Sequence, residues 1–286
     1  MASMLPEAVA DWLLTQGCGE ITSVRPVGGG CINNGRRLGT ASGGIFFLKT
    51  NHQAPADMFA REVEGLEALG VPGGPRVPQP YLHGPDFLLM EDLAPASPRS
   101  DYWPDFGRRL AALHNQTQPH FGFAHDNYIG STPQPNPWME DGYAFFAEQR
   151  LAYQARLAHR NGLLGAEELG RVERLCRRLP ELVPPQPASL VHGDLWSGNA
   201  MSDATGGPAI IDPAAHYGWA EAELAMTALF GAFPEAFYRA YQEVRRLEQG
   251  FRERFPLYNL YHLLNHLNLF GSGYWGEVVT ILNHYI

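Results

Sequence analysis

The chain has 286 residues, 45% of them hydrophobic and 18% charged, enough apolar material for a substantial core. With 30 acidic against 21 basic residues, the net charge of -9 disfavours a nucleic-acid partner, and no apolar run is long enough to span a bilayer. Three scattered cysteines, Cys18, Cys31 and Cys176, make neither a disulfide framework nor a thiolate metal site, so a soluble, cytoplasmic protein is expected.

The opening MASMLPEAVADWLLTQ reads as an amphipathic surface helix, because Glu7 and Asp11 break the apolar run that a signal or anchor would need. Strand-like EITSVRPV (20–27) runs into Gly28-Gly29-Gly30, INNGRRLGT continues, and GIFFLKT (44–50) is an apolar strand carrying Lys49 at its end. Pro55-Ala56-Asp57 opens a helix that runs to Gly70. A Pro- and Gly-rich stretch follows, and DFLLMEDL (86–93) reads as a buried strand. From Trp103 helical patterns dominate, over 103–116, 138–160, 165–179, 221–230, 234–248 and 256–285, the last broken near Gly271. ASLVHG (188–193) and PAIID (208–212) are strands among them, and STPQPNP (131–137) is a loop by its proline content. This order predicts an α+β fold of two lobes, a β-rich lobe over 1–93 and a helical lobe over 94–286, joined near Leu93 to Pro98.

The chemistry concentrates after the first of those two strands, in His192-Gly193-Asp194-Leu195-Trp196-Ser197-Gly198-Asn199. Phosphoryl transfer needs a carboxylate to orient and deprotonate a hydroxyl, and oxygen ligands to hold Mg²⁺ against nucleotide phosphates. Asp194 fits the first role, and Asn199 with Asp212 of Ile210-Ile211-Asp212 the second. Such a site makes demands on the preceding lobe. Gly28, Gly29 and Gly30 supply a turn to lie over the phosphates of ATP. Lys49, the single lysine of the chain, supplies an ammonium, although its singularity is equally explained by arginine bias in the composition. In the helix that follows, Phe59, Val63, Leu66 and Leu69 form one stripe and Glu62 projects from within it. An unpaired carboxylate there would be costly, which pairs Glu62 with Lys49. Met90, Glu91, Asp92 and Leu93 take the position of an adenine-binding hinge; an ordinary core strand suits the same residues.

No Gly-Lys pair exists, which excludes a Walker-type phosphate loop. Asp212 is followed by Pro213-Ala214 and soon by a helix, leaving little room for an activation segment. The HGD form and short segment resemble aminoglycoside and choline kinases of the protein-kinase-like fold. HGDLWSGN, IIDPAAHYGWAEAELAM (210–226), GGGCINNGRRL (28–38), MFAREVEGLEAL (58–69), FLLMEDL, DNYIGSTPQPN (126–136) and NLYHLLNHLNLFGSGY (259–274) narrow this to a resemblance to the fructosamine (ketosamine) kinase family. The resemblance implies Mg·ATP-dependent phosphorylation of a ketosamine at its third-carbon hydroxyl, giving an unstable product whose breakdown reverses glycation. The ketosamine is free or protein-bound, with no nucleic acid or membrane partner. Two rivals stand beside it, another small-molecule kinase of this fold and a silent nucleotide-binding scaffold.

Four further residues stay open. Trp196 either packs on the acceptor or anchors its loop. Glu221 and Glu223 match family positions and are equally ordinary carboxylates of a helix N-terminus. Cys31, after the glycines, is either a redox-sensitive thiol, able to link two copies as a homodimer, or a small apolar filler. His114, His262, His266 and His284 read as packing or hydrogen-bonded residues.

Overall fold

The computed structural model describes residues 5–28 and 34–286. Strands β1 (Ile21–Val27), β2 (Asn34–Thr40), β3 (Ile45–Thr50), β4 (Pro80–Gly84) and β5 (Phe87–Glu91) form one antiparallel sheet in the order β1-β2-β3-β5-β4. Its two faces are closed by different helices. Helix α1 (Glu7–Thr15) sets Val9 and Leu13 against Leu38, Leu48, Phe87 and Leu89, so it is the cover of one sheet face and not merely a surface helix. Helix α2 (Met58–Leu69) lays Phe59 and Leu66 on Leu88 and Met90 of the other face. Strand β4 lies in the Pro- and Gly-rich stretch, where an edge position tolerates Pro80 as its first residue.

The helical lobe begins with α3 (Tyr102–His114), followed by β6 (Thr117–Gln118), β7 (Asn127–Ile129) and β8 (Thr132–Gln134). β7 and β8 pair as a hairpin, which corrects the reading of 131–137 as a loop at 132–134 and leaves the rest irregular; buried amides brace the hairpin. α4 (Gly142–Phe146) continues through a π-turn at Ala147–Ala152 into α5 (Tyr153–Arg160), and α6 (Ala166–Leu182) packs on that turn. β9 (Ala188–Val191), β10 (Ala200–Ser202), β11 (Pro208–Ile210) and β12 (His216–Gly218) are the short strands around the HGD motif. α7 (Ala220–Leu229), α8 (Glu235–Val244), α9 (Phe255–Phe270) and α10 (Trp275–Tyr285) complete the lobe, with α9 ending at Gly271 (φ 88°). α3 crosses α8 so closely at Gly107 that a Cβ there would lie 2.2 Å from the Phe237 carbonyl oxygen. Among the described residues no helix is long and apolar enough to cross a membrane.

Candidate active site

A cleft of about 670 Å³ separates the sheet from the helical lobe, and Lys49, Glu62, Asp194, Asn199 and Asp212 all face it. Lys49 reaches it from the end of β3, opposite Gly35 and Leu88 in the sheet. Its Nζ donates to Glu62 Oε1 at 2.5 Å and to Asp212 Oδ1, so one buried ammonium ties α2 to the segment after β11. Burial works against the charge of Lys49, but the two carboxylates outweigh it and hold its pKa above the ordinary lysine range. The helix stripe explains the partner: Glu62 shares the inward face with Phe59 and Leu66, whereas Glu64 turns away to bond Arg61 and His125.

The HGD loop is built on backbone constraints. Gly193 has φ +84° and a Cβ there would meet the Ala214 carbonyl oxygen at 2.1 Å, so no other residue fits. His192 donates from Nε2 to the Ile211 carbonyl at 2.8 Å and accepts the Asp194 N–H on Nδ1 at 3.3 Å, which couples the loop to the segment holding Asp212. Behind the loop, Glu223 Oε1 accepts the Gly193 N–H at 2.7 Å, while its Oε2 accepts from His114 Nε2 at 2.7 Å. Burial would raise the Glu223 pKa, but His114 and Gly193 more than offset it and keep the carboxylate ionised. Tyr241 donates to His114 Nδ1 at 2.8 Å and completes the chain. Glu223 is therefore a support of the loop, and Glu221 is a buried partner of Arg254 and Tyr258. Neither lines the cleft.

Asp194 is pushed up to about 7 by burial first and by the charge of Asp212 second, with the Asn199 hydrogen bond opposing. Asn199 commits its amide nitrogen to the Asp194 carbonyl (2.8 Å) and to Asp194 Oδ2 (3.2 Å), leaving its Oδ1 as acceptor. Asp212 adopts a left-handed backbone, φ +58°, shared among the described non-glycine residues only with Ala94 just past the hinge. Strain of that kind is tolerated where surrounding contacts fix it, here the bond to Lys49.

Met90, Glu91, Asp92 and Leu93 all line the cleft. The Glu91 side chain is occupied by Arg76 and the Gln79 N–H, and the Asp92 carboxylate by Arg37 Nε (2.5 Å) and the Ala94 N–H (2.8 Å), so only their backbone is available to a base. Leu93 N–H has no hydrogen-bond partner among the described residues. Also lining the cleft, Trp196 stands edge-on to Phe230, 6.2 Å between centroids, and His266 bridges Phe230 (4.7 Å) and Tyr274 (5.2 Å). Burial pushes the His266 pKa down, so it joins this wall as a neutral ring. His266, read from the sequence as a packing or hydrogen-bonded residue, also lines the cleft, as does Phe270, one turn further along α9. Gly28 lines the cleft, whereas Gly29, Gly30 and Cys31 lie outside the described residues.

The donor set suits a Mg²⁺-bound nucleotide. Two carboxylates close enough for Asp212 to raise Asp194 favour a cation between them and a phosphate, and Asn199, which lines the same cleft, keeps its Oδ1 as a further oxygen donor. Mg²⁺ is ordinarily held by one or two protein carboxylates plus phosphate oxygens, so no larger cluster is needed. The unpartnered Leu93 N–H matches an acceptor on an adenine edge.

Comparison with known proteins finds relatives over most or all of the chain. A Synechocystis protein named as a probable ketoamine kinase is 46% identical over 263 residues, covering 90% of this chain and 88% of its own. The chloroplastic protein-ribulosamine 3-kinase of Arabidopsis thaliana is 40% identical over 297 residues, covering 100% and 90%. A Thermobifida fusca crystal structure superposes with a TM-score of 0.88 at 35% identity, covering 98% of both chains. Choline kinase of Streptococcus pneumoniae, at 14% identity and a TM-score of 0.65 over 98% and 99% of the chains, shares the fold, which is therefore the two-lobed kinase-like α+β fold. With the fructosamine kinase family model matching residues 6–286, the chain belongs to the fructosamine kinase family.

Proposed function

We propose that the protein is a kinase that phosphorylates the 3-hydroxyl of ketosamines, residues 1–93 binding the nucleotide and 94–286 the acceptor. The observation that carries this reading is the clamp of Glu62 and Asp212 on Lys49, across one cleft from an Asp194 whose pKa is about 7. Bound Mg·ATP would supply the transferable phosphoryl group. Lys49 would orient phosphate oxygens, and Asp212 with Asn199 Oδ1 would hold the metal. Asn199 occupies Asp194 Oδ2, so Oδ1 is the atom that accepts the acceptor's hydroxyl proton. A base near neutrality is half-ionised at physiological pH, which suits that transfer.

The third-carbon position and the sugar–amine acceptor rest on the relatives named ribulosamine 3-kinase and ketoamine kinase. The aromatic wall of Trp196, Phe230 and Tyr274 supports an acceptor with a sugar face and a protonated amine, both of which pack on ring faces. A phosphorylated ketosamine falls apart and frees its amine, which makes the reaction a deglycation. A cytoplasmic location belongs to the same proposal, on the sparse and scattered cysteines. The test is ATP turnover on a panel of a fructosamine, a ribulosamine, an aminoglycoside and an amino alcohol, with wild type and Trp196→Ala. Turnover on the ketosamines, with a raised ketosamine KM and little change in ATP KM for Trp196→Ala, is expected; turnover confined to the other acceptors contradicts the proposal.

A further inference from the structure

The stretch 126–136 is given no step in the chemistry above, although Asn127, Tyr128, Ile129 and Gly130 line the cleft, and buried amides brace it. Asn127 Nδ2 donates to the Ala215 carbonyl at 2.8 Å, and Gln134 Nε2 to the Ala214 carbonyl at 3.0 Å and to Asn127 Oδ1 at 2.7 Å. Tyr261 OH donates to Gln134 Oε1 at 2.6 Å. Arg150, 1% exposed and in no ion pair among the described residues, donates to the Pro135 carbonyl and to Asn136 Oδ1, each at 2.7 Å. Only Arg150 Nε lacks a partner among these groups, and a buried polar network so nearly complete fixes the carbonyls two and three residues past Asp212.

The other side of the hairpin meets α2. Tyr128 OH donates to Asp57 Oδ1 at 2.7 Å and His125 Nδ1 lies 3.1 Å from Glu64 Oε2. Between them Gly65 of α2 sits directly on Pro213 and Ala215, where a Cβ would be 3.2 and 3.4 Å from their side chains. One hairpin thus contacts both elements whose carboxylates clamp Lys49, the helix with Glu62 and the segment after Asp212. The path from Asp212 to the start of α7 at Ala220 is too short for an activation segment that could do this.

We propose that Tyr128 is a positioning residue of the nucleotide site: its hydroxyl docks α2 through Asp57 onto the rigid β7–β8 hairpin and thereby sets the Glu62–Lys49–Asp212 geometry. The inference rests on the kinase reading given above. The Tyr128 hydrogen bond also holds the Asp57 carboxyl below its usual range, as expected of a made contact.

The test uses Tyr128→Phe, which removes one hydrogen bond and keeps the ring, with Asp57→Asn as a second variant. Because Lys49 is the only lysine, competitive acylation read by mass spectrometry reports that one side chain in nucleotide-free protein, the N-terminal amine being counted separately. Both variants are expected to acylate Lys49 faster at a near-normal melting temperature. They should lose roughly three- to tenfold in kcat/KM for ATP, the size of a partly exposed hydrogen bond to a charged group. Acceptor KM should be unchanged, and in a Glu62→Gln background Tyr128→Phe should have no further effect. Unchanged Lys49 reactivity, a rise in acceptor KM alone, a general loss of stability, or full additivity with Glu62→Gln overturns the inference. Absence of ketosamine phosphorylation in wild type would instead overturn the functional reading, while Lys49 labelling still tests the positioning.

Discussion

Asp194 and Lys49 show how burial tunes two opposite charges in one cleft. Asp194 has a like charge beside it and rises to about 7; Lys49 has two opposite charges and stays protonated. Asp194→Asn keeps the shape and the Asn199 contact but cannot accept a proton. It should leave ATP binding nearly intact and lower turnover roughly 10²–10⁴-fold, the range of general acid–base catalysis, as steady-state kinetics would read. A loss under about tenfold would remove Asp194 from the role of base. Lys49→Arg keeps the charge but replaces a point ammonium held by two carboxylates with a planar fork. Impaired kcat/KM for ATP is expected; wild-type kinetics would make the single lysine a matter of composition. The sequence singled out both residues by motif and spacing, and the structure brings both to one cleft. Glu62 was legible from helix periodicity, and the structure puts it against Lys49. Glu223 was not: two carboxylates in the first turn of α7 look alike until the fold brings one to the Gly193 N–H.

Among elements, the hydrophobic ones were readable and the polar ones were not. α2, β3, β5 and the break in the last helix at Gly271 follow from stripes, apolar runs and glycine. The β7–β8 hairpin follows from none of these, since Asn127, Gln134 and Asn136 hold it through buried amides and its prolines suggest a loop. β4 escaped for a related reason, being a short edge strand that starts on proline. Two predictions belong here. Gly107→Ala would force α3 off α8, because the new methyl meets backbone rather than a flexible side chain. Chemical denaturation should show a loss of about 1–3 kcal/mol or more with the nucleotide KM little changed; unaltered stability would mean the helices can slide apart freely. Glu223→Gln keeps an acceptor for the Gly193 N–H, whereas Glu223→Ala leaves that N–H and His114 Nε2 unpartnered. The alanine variant should lose kcat and stability together and the glutamine variant much less; equal effects would deny that Glu223 supports the loop.

The molecule as a whole carries buried histidines that are neutral in the folded state. Burial is the leading cause at His114, His192, His216 and His262, and it takes His262 down to about 3. A group depressed by folding binds a proton in the unfolded chain before it does in the native one. Stability is therefore lost as pH falls below about 6.5, by about 1.4 kcal/mol per pH unit for each such histidine. Asp194, raised to about 7, opposes this by one proton between about pH 4 and 7. Denaturation free energies should thus decline steeply from pH 6 toward 4, with a shallower slope in His262→Gln; a flat profile would contradict neutral burial. The two-lobed α+β fold was legible early, since strands precede helices along the chain, β5 ending at Glu91 and α3 starting at Tyr102. What unites the lobes is the cleft chemistry, and its most direct test is the position of the transferred phosphate. Incubating the protein with Mg·ATP and a fructosamine labelled with ¹³C at its third carbon, followed by ¹³C and ³¹P spectroscopy, should show phosphorus coupling at that carbon, then release of the free amine. Phosphate on another oxygen, or ATP binding without any transfer, would contradict the account.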